Sequence, residues 1–383
     1  LDQNYTRSLF AHQAKAQKGP WTIYANLFSE RDSRQPAVPE DLDSADLRIL
    51  ALAGDDLALA VRTGVRSSGL DYDVNRVYYR QRDTLVVVQG LPTRYTYLVH
   101  DPYADSSALA VSFSEVAAGM GDYVLQQSNA NGRVYAWSAP DPATGALRGN
   151  YRAEVRLIAP AAHLVANAGF SVPGRRDALL SAEFAASSRD QNRLSSLDDG
   201  DNSGFAAKLL TRSPELGFRA NALRLQAEAS YRFVHASFAP VQSFRPVEFV
   251  RDWNLAGAPA GAEHLPELTL RMNIQDRWKL IYSGSRYLRG SAYDGQRNLA
   301  TLQFSDSLTN VSFTFNSLSA KQQDARTRFL RPVLEGSRRM GNGFELSLHA
   351  ARERHERFAA GSDTLTAESF SFDRLDGRIR WQS

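Results

Sequence analysis

The sequence predicts an all-β fold: an antiparallel transmembrane-type β-barrel, or a large piece of one, with an inserted small β-rich module containing a short helix. Three observations predict it. From Leu223 to Phe233 the apolar positions Leu223, Leu225, Ala227, Ala229, Tyr231 and Phe233 alternate with Arg224, Gln226, Glu228, Ser230 and Arg232. That is the period of a strand whose two faces meet different surroundings. The alternation recurs through the C-terminal two-thirds of the chain, in runs that reach the ~9–11 residues a tilted membrane strand needs. No run approaches the ~18 apolar residues of a helical span, whereas a barrel strand needs only every second residue apolar.

Composition fits this class. The 383 residues are 43% apolar, carry a net charge of +3 and include no cysteine; the mean hydropathy is −0.39. That length holds a barrel plus an extra module. The mixed charge has no basic block of the kind that binds nucleic acid. The missing cysteines exclude disulfides, thiolate catalysis and thiolate-bound metals. The first residues lack a basic start and an apolar core, and the chain does not finish on an aromatic residue but on Ser383. Both features point to a fragment of a longer protein or to a processed one.

Taken in order, residues 1–31 read as a first barrel hairpin, turned at Gly19-Pro20, with Trp21 and Tyr24 suited to an aromatic girdle. Residues 32–160 break the pattern and form the inserted module. After the linker-like Gln35-Pro36-Ala37-Val38-Pro39, Leu42 to Ala53 reads as a helix capped by Ser44 and ended by Gly54. A second helical turn carries Leu57, Ala60 and Val61. Short strands follow at 76–82, 95–100, 109–115, 123–127, 133–137 and 151–158, with a hairpin turn at Asn131-Gly132. A small sandwich or roll suits them.

Residues 161–383 return to long strands, near 161–172, 177–188, 204–212, 222–238, 266–276, 278–289, 295–305, 309–320, 326–336, 343–357 and 365–381. With the first hairpin this makes roughly thirteen. Short and longer links take turns, as at the two rims of a membrane barrel, and 32–160 falls with the longer ones. Arg286 interrupts an apolar face, so it belongs near a rim or at a bulge, because an arginine in lipid at mid-depth costs ~2–4 kcal/mol.

Three stretches carry a resemblance. They are Gly121–Leu125 through Asn131–Trp137 with Gly149–Tyr151 and Val155–Pro160, then Leu197–Ala206, then Phe244–Asn254. Together the chain resembles a family of large, uncharacterised outer-membrane barrel proteins of the Bacteroidota. The resemblance implies the cell outer membrane and a barrel architecture, and no reaction.

Two stretches hold candidate sites. Asp199, Asp201 and Ser203 supply oxygens at the spacing of the first half of a calcium loop, but position twelve is Leu210 instead of glutamate. The choice is a calcium-stabilised loop or a plain polar one. Arg245, Glu248, Arg251 and Asp252 alternate in sign among Phe244, Phe249 and Trp253. One reading is a folded loop pinned by ion pairs and aromatic packing, tucked into the lumen. The other is a glycan- or peptide-binding patch with Trp253 as its stacking face. His349 and His355 share a strand face ~20 Å apart, too far for one metal. No nucleophile elbow, P-loop or zinc-helix motif occurs. The sequence therefore points away from an enzyme and towards envelope structure, surface binding or transport. The expected partners are outer-membrane lipid and a surface glycan or envelope protein, with no catalytic residues and no cofactor besides that calcium. A secreted soluble adhesion protein and a barrel-borne hydrolase are the alternatives.

Overall fold

The computed structural model describes residues 6–33, 42–220, 222–255, 258–341 and 343–381. The proline-flanked stretch 35–39 lies outside them. The chain divides into two compact units. One comprises Asp32–Ala161 and Asp190–Asp199 with the first described residues; the other comprises Ser8–Arg31, Ala162–Arg189 and Gly200–Ser383.

The second unit is one antiparallel sheet. Its long strands are β1 (Arg7–Lys18), β2 (Trp21–Asp32), β3 (Ala162–Pro173), β4 (Leu179–Asp190), β5 (Ser203–Arg212), β6 (Leu223–Val234), β7 (Glu263–Ile274), β8 (Trp278–Arg289), β9 (Tyr293–Ser305), β10 (Thr309–Gln322), β11 (Ala325–Met340), β12 (Phe344–Ala359) and β13 (Phe370–Trp381). They lie side by side in chain order, and the short strand Leu216–Phe218 adds to β6. β1 and β13 are the two edges, exposed at every residue.

Register shows why this sequence makes this sheet. Leu225 faces Met272, and the row continues through Leu280, Leu302, Phe313, Leu334, Ala350 and Leu375. Every direct partner from β6 to β13 is apolar. One residue away, Arg224 faces Asn273, and that row runs through Lys279, Gln303, Ser312, Glu335, His349 and Asp376. Every member is polar. A slip of one residue in any strand would mix the rows, so the pattern fixes the register. The apolar face is the open one: Leu270 is 46% and Phe313 40% exposed. The charged face is covered over part of the sheet: the Glu228 side chain is 14% and that of Glu353 20% exposed, whereas Glu335 stays open at 63%.

Aromatic residues end the apolar face at one set of turns. Trp278 packs on Phe304 at 4.7 Å and Trp21 on Phe170 at 5.9 Å, while Phe344 stands opposite Trp381. Trp21 thus shares the open apolar face at that edge, but Tyr24 does not. It lies on the polar face against Glu183, because residues three apart on a strand point to opposite sides. Arg286 is close to the end of β8, paired to Asp294 of β9 at 2.7 and 2.9 Å. The alternation of links holds in part only. The links 191–202 and 235–262 are long, but at the same strand ends 290–292 and 323–324 are tight turns.

In the first unit, helix α1 (Ser44–Ala53) starts two residues after Leu42, and its cap lies one residue before the expected Ser44. Asp43 is its cap, and Asp43 and Asp46 form a reciprocal capping box. The second helical turn is absent: after a turn at Asp56, Val61–Thr63 is a strand paired to Glu154–Arg156. Asn131-Gly132 is not a two-residue turn either, since Gln126 pairs with Val134 and leaves seven residues between. The tight hairpin is elsewhere, between Tyr79–Val88 and Leu91–His100. Its Gln89 and Gly90 take φ of 50° and 80°, the left-handed pair that matches strand twist. Tyr79, Leu98, Tyr123 and Tyr135 form the core. The buried Tyr123 hydroxyl accepts from Leu98 N–H at 3.0 Å, and burial pushes its pKa up to about 12.

Asn192 explains why 190–199 belongs here. Fully buried, its amide donates to the carbonyls of Leu50 and Gly54, both at 2.7 Å, at the C-terminal end of α1. Those are acceptors that a helix cannot satisfy itself. Asn192→Ala should lower the stability of this unit by about 1–3 kcal/mol for each carbonyl left buried and unpaired. Amide exchange in α1 reads this directly; unchanged protection of residues 47–53 would refute the role.

Candidate functional site

Among the described residues, the link between β6 and β7, described at 235–255 and 258–262, lies over the polar face of the sheet. Near its start, Ala239 N–H donates to Ser187 Oγ of β4 at 2.9 Å, and the Ala239 carbonyl meets His163 Nε2 of β3, also at 2.9 Å. Further on, Asn254 Nδ2 donates to Thr327 Oγ1 of β11 at 3.1 Å, and Gln322 Nε2 donates to the Asn254 carbonyl at 2.8 Å. The segment is therefore fastened as a strap from β3 to β11.

Local sequence makes the fastening. A single helical turn, α2 (Phe249–Asp252), ends where Asn254 adopts φ of 50°. Asn254 N–H returns to the Arg251 carbonyl and Leu255 N–H to the Val250 carbonyl. This left-handed stop satisfies the last carbonyls and redirects the chain. Phe249, Trp253 and Leu255 then bury against Tyr287, Tyr293, Leu318 and Ala320 of the sheet. Tyr293 donates its hydroxyl to the Trp253 carbonyl.

Charge completes the joint. Arg245 pairs with Glu263 at the start of β7 and donates to the Tyr287 hydroxyl at 3.2 Å. Its guanidinium lies over the Phe249 ring, 4.2 Å from the centroid, a favourable stacking of cation on aromatic face. Asp252 meets Arg297 of β9 at 3.0 Å. Elsewhere on this face Glu228 joins Arg212 and Arg271, and Glu353 joins Arg331.

Of the residues the sequence singles out, Arg245, Asp252 and Trp253 come together here, as structural fasteners. Trp253 is 3% exposed, so its ring offers no open stacking face. Glu248 and Arg251 pair with each other at 3.1 Å on the outer side of α2. Asp199 to Asp201 form a single 3₁₀ turn and Ser203 opens β5. Among the described residues no three histidine, aspartate or glutamate side chains gather as a metal site. His349 contacts Glu335 at 3.2 Å on the polar face. Sequence reading misses the sheet's half of the joint. Tyr287, Tyr293 and Leu318 occupy polar-face positions of their own strands. An apolar residue on the wrong parity is the signal that something covers it.

A scan of protein-family models finds no match to this chain, and a search of curated proteins finds none. Among solved structures, the chain is similar to that described as "Structure of the P pilus usher (PapC) translocation pore". Identity is 12%, covering 99% of this chain and 90% of that one, with a TM-score of 0.27.

Proposed function

We propose that the large sheet is the lipid-facing wall of an outer-membrane β-barrel and that the strap narrows its interior, so that the protein serves as a constricted passage. One observation carries the reading: the sheet is inside out. Leucines and phenylalanines such as Leu270 and Phe313 are open, while Glu228, Arg297, Arg331 and Glu353 on the other face are covered and paired. In water, an apolar face this large would be a liability; against hydrocarbon it is the stable arrangement. Ten residue steps from Leu223 to Phe233 run about 33 Å at ~3.3 Å each, and the ~40° tilt of such strands brings this near the ~25 Å apolar band of outer-membrane barrels. The aromatic belt at Trp21, Trp278, Phe304 and Trp381 supports an interface at that rim. The resemblance of 121–160, 197–206 and 244–254 to Bacteroidota barrel proteins supports the same compartment.

Fluorophores placed singly at Leu225, Phe313 and Leu346 should be quenched by brominated acyl chains, and those at Arg224, Ser312 and Glu345 by aqueous iodide. Equal quenching of both sets, or a monomer stable without detergent, would favour a soluble sheet instead.

A further inference from the structure

Many ionised groups on the polar face are matched; among the cations that reach no carboxylate, two stand side by side. Lys208 of β5 and Arg232 of β6 are direct cross-strand partners. Like charges so placed repel and weaken a sheet. Arg212, Arg271, Arg297 and Arg331 each reach a carboxylate, whereas among the described residues neither Lys208 nor Arg232 forms an ion pair. Glu183, opposite Lys208 on β4, already accepts from Asn167 Nδ2 at 2.7 Å and touches the Tyr24 hydroxyl. Glu267, the diagonal neighbour of Arg232 on β7, makes no ion pair with it either.

A cavity of ≈ 320 Å³ opens over these residues. Glu183, Lys208 and Arg232 form its floor, and Phe238, Pro240, Val241 and Phe244 of the strap form its roof. The Phe244 centroid is 5.8 Å from the Arg232 guanidinium carbon. A charged floor under an apolar roof is the recognition surface for an amphipathic anion.

We infer that this cavity binds a small organic carboxylate, its anionic head between Lys208 and Arg232 and its hydrocarbon body beneath the strap. Arginine can hold a carboxylate with two parallel N–H···O bonds, and the lysine adds a point charge. The bound anion converts the cross-strand repulsion into two attractions. The volume lies at the low end of the ~300–1,000 Å³ of ligand sites, which suits a single small acid. The inference rests on the passage reading and deepens it, by naming the class of solute that the constriction selects.

The test is ¹⁹F NMR of 4-fluorobenzoate added to the full chain in phosphatidylcholine nanodiscs. The ligand resonance should broaden saturably, and neutral 4-fluorobenzamide should not broaden. Lys208→Gln and Arg232→Gln should each weaken binding about ten-fold. Neither should lower the urea midpoint of the sheet, since each removes a repulsion; a lowered midpoint with unchanged binding would mark a structural role and overturn the inference. Equal broadening in wild type and both variants would overturn it too. Displacement by equimolar inorganic phosphate would make the site one for bare oxyanions, against the amphiphile proposed. A chain that fails to enter nanodiscs sinks the passage reading instead, and the same titration in detergent-free buffer still decides the cavity.

Discussion

Trp253→Ala detaches the strap while leaving the wall standing. Removing a buried tryptophan costs about 3–5 kcal/mol through lost contacts and the cavity left behind. Trp253 is the centre of the joint, packed on Phe249 and Tyr287 with its carbonyl held by Tyr293. What remains beside the Phe249 and Leu255 contacts is polar: Asp252 with Arg297, Arg245 with Glu263, and the Asn254 hydrogen bonds to Thr327 and Gln322. Such pairs hold poorly once water enters, because both charges can be solvated separately. The sheet itself is registered by cross-strand rows that do not involve the strap. Trypsin should therefore cut after Arg251 in the variant and spare it in the native protein; Arg245 precedes Pro246 and is not a trypsin site in either. Conductance of reconstituted protein should rise, with the heat-modifiable gel shift of the folded wall retained. Trp253→Phe should fall between. Unchanged protease protection and conductance would show that the strap neither depends on this joint nor constricts anything.

The second large effect is on the open face. Phe313→Arg should destabilise the sheet in phosphatidylcholine vesicles by about 2–4 kcal/mol, the cost of an arginine at bilayer mid-depth. Its neighbour on the other side, Ser312→Arg, should change stability by no more than about 0.5 kcal/mol. The reason is the register. Phe313 sits in the apolar row between Leu302 and Leu334, whereas Ser312 lies between Gln303 and Glu335, and the carboxylate can receive the new charge. Urea midpoints of the two variants, refolded side by side, make the comparison. For a sheet in water the expectation reverses, since an arginine on a residue already 40% exposed is nearly neutral. Two variants of equal stability would remove the hydrocarbon from the account.

Much of this was legible in one dimension because a strand has a period of two. Leu268, Leu270, Met272 and Ile274 against Thr269, Arg271, Asn273 and Gln275 already separate two faces, and the same faces recur in the folded sheet. The long runs gave thirteen strands before any pairing was known. Errors gathered where a local signal competes with distant contacts. Asn131-Gly132 has the residues of a tight turn, but Asn131 Nδ2 reaches the Asn75 carbonyl at 3.3 Å inside a wider loop. Ser44 looked like a cap, yet Asp43 can reach two backbone amides, those of Ala45 and Asp46.

Alternation within each strand thus belongs to the chain alone: which residues share a side, how many long strands there are, and that one side is greasy. Sequence offered a loop tucked into the lumen at Phe244–Asn254 as one of two readings, but not which strands it fastens to, nor that Lys208 and Arg232 face each other. Those facts come from residues far apart in the chain, brought together by pairing between strands, and no periodicity within a strand encodes its neighbours. The tertiary structure chose the partners, and with them the joint at Trp253 and the cavity beside it.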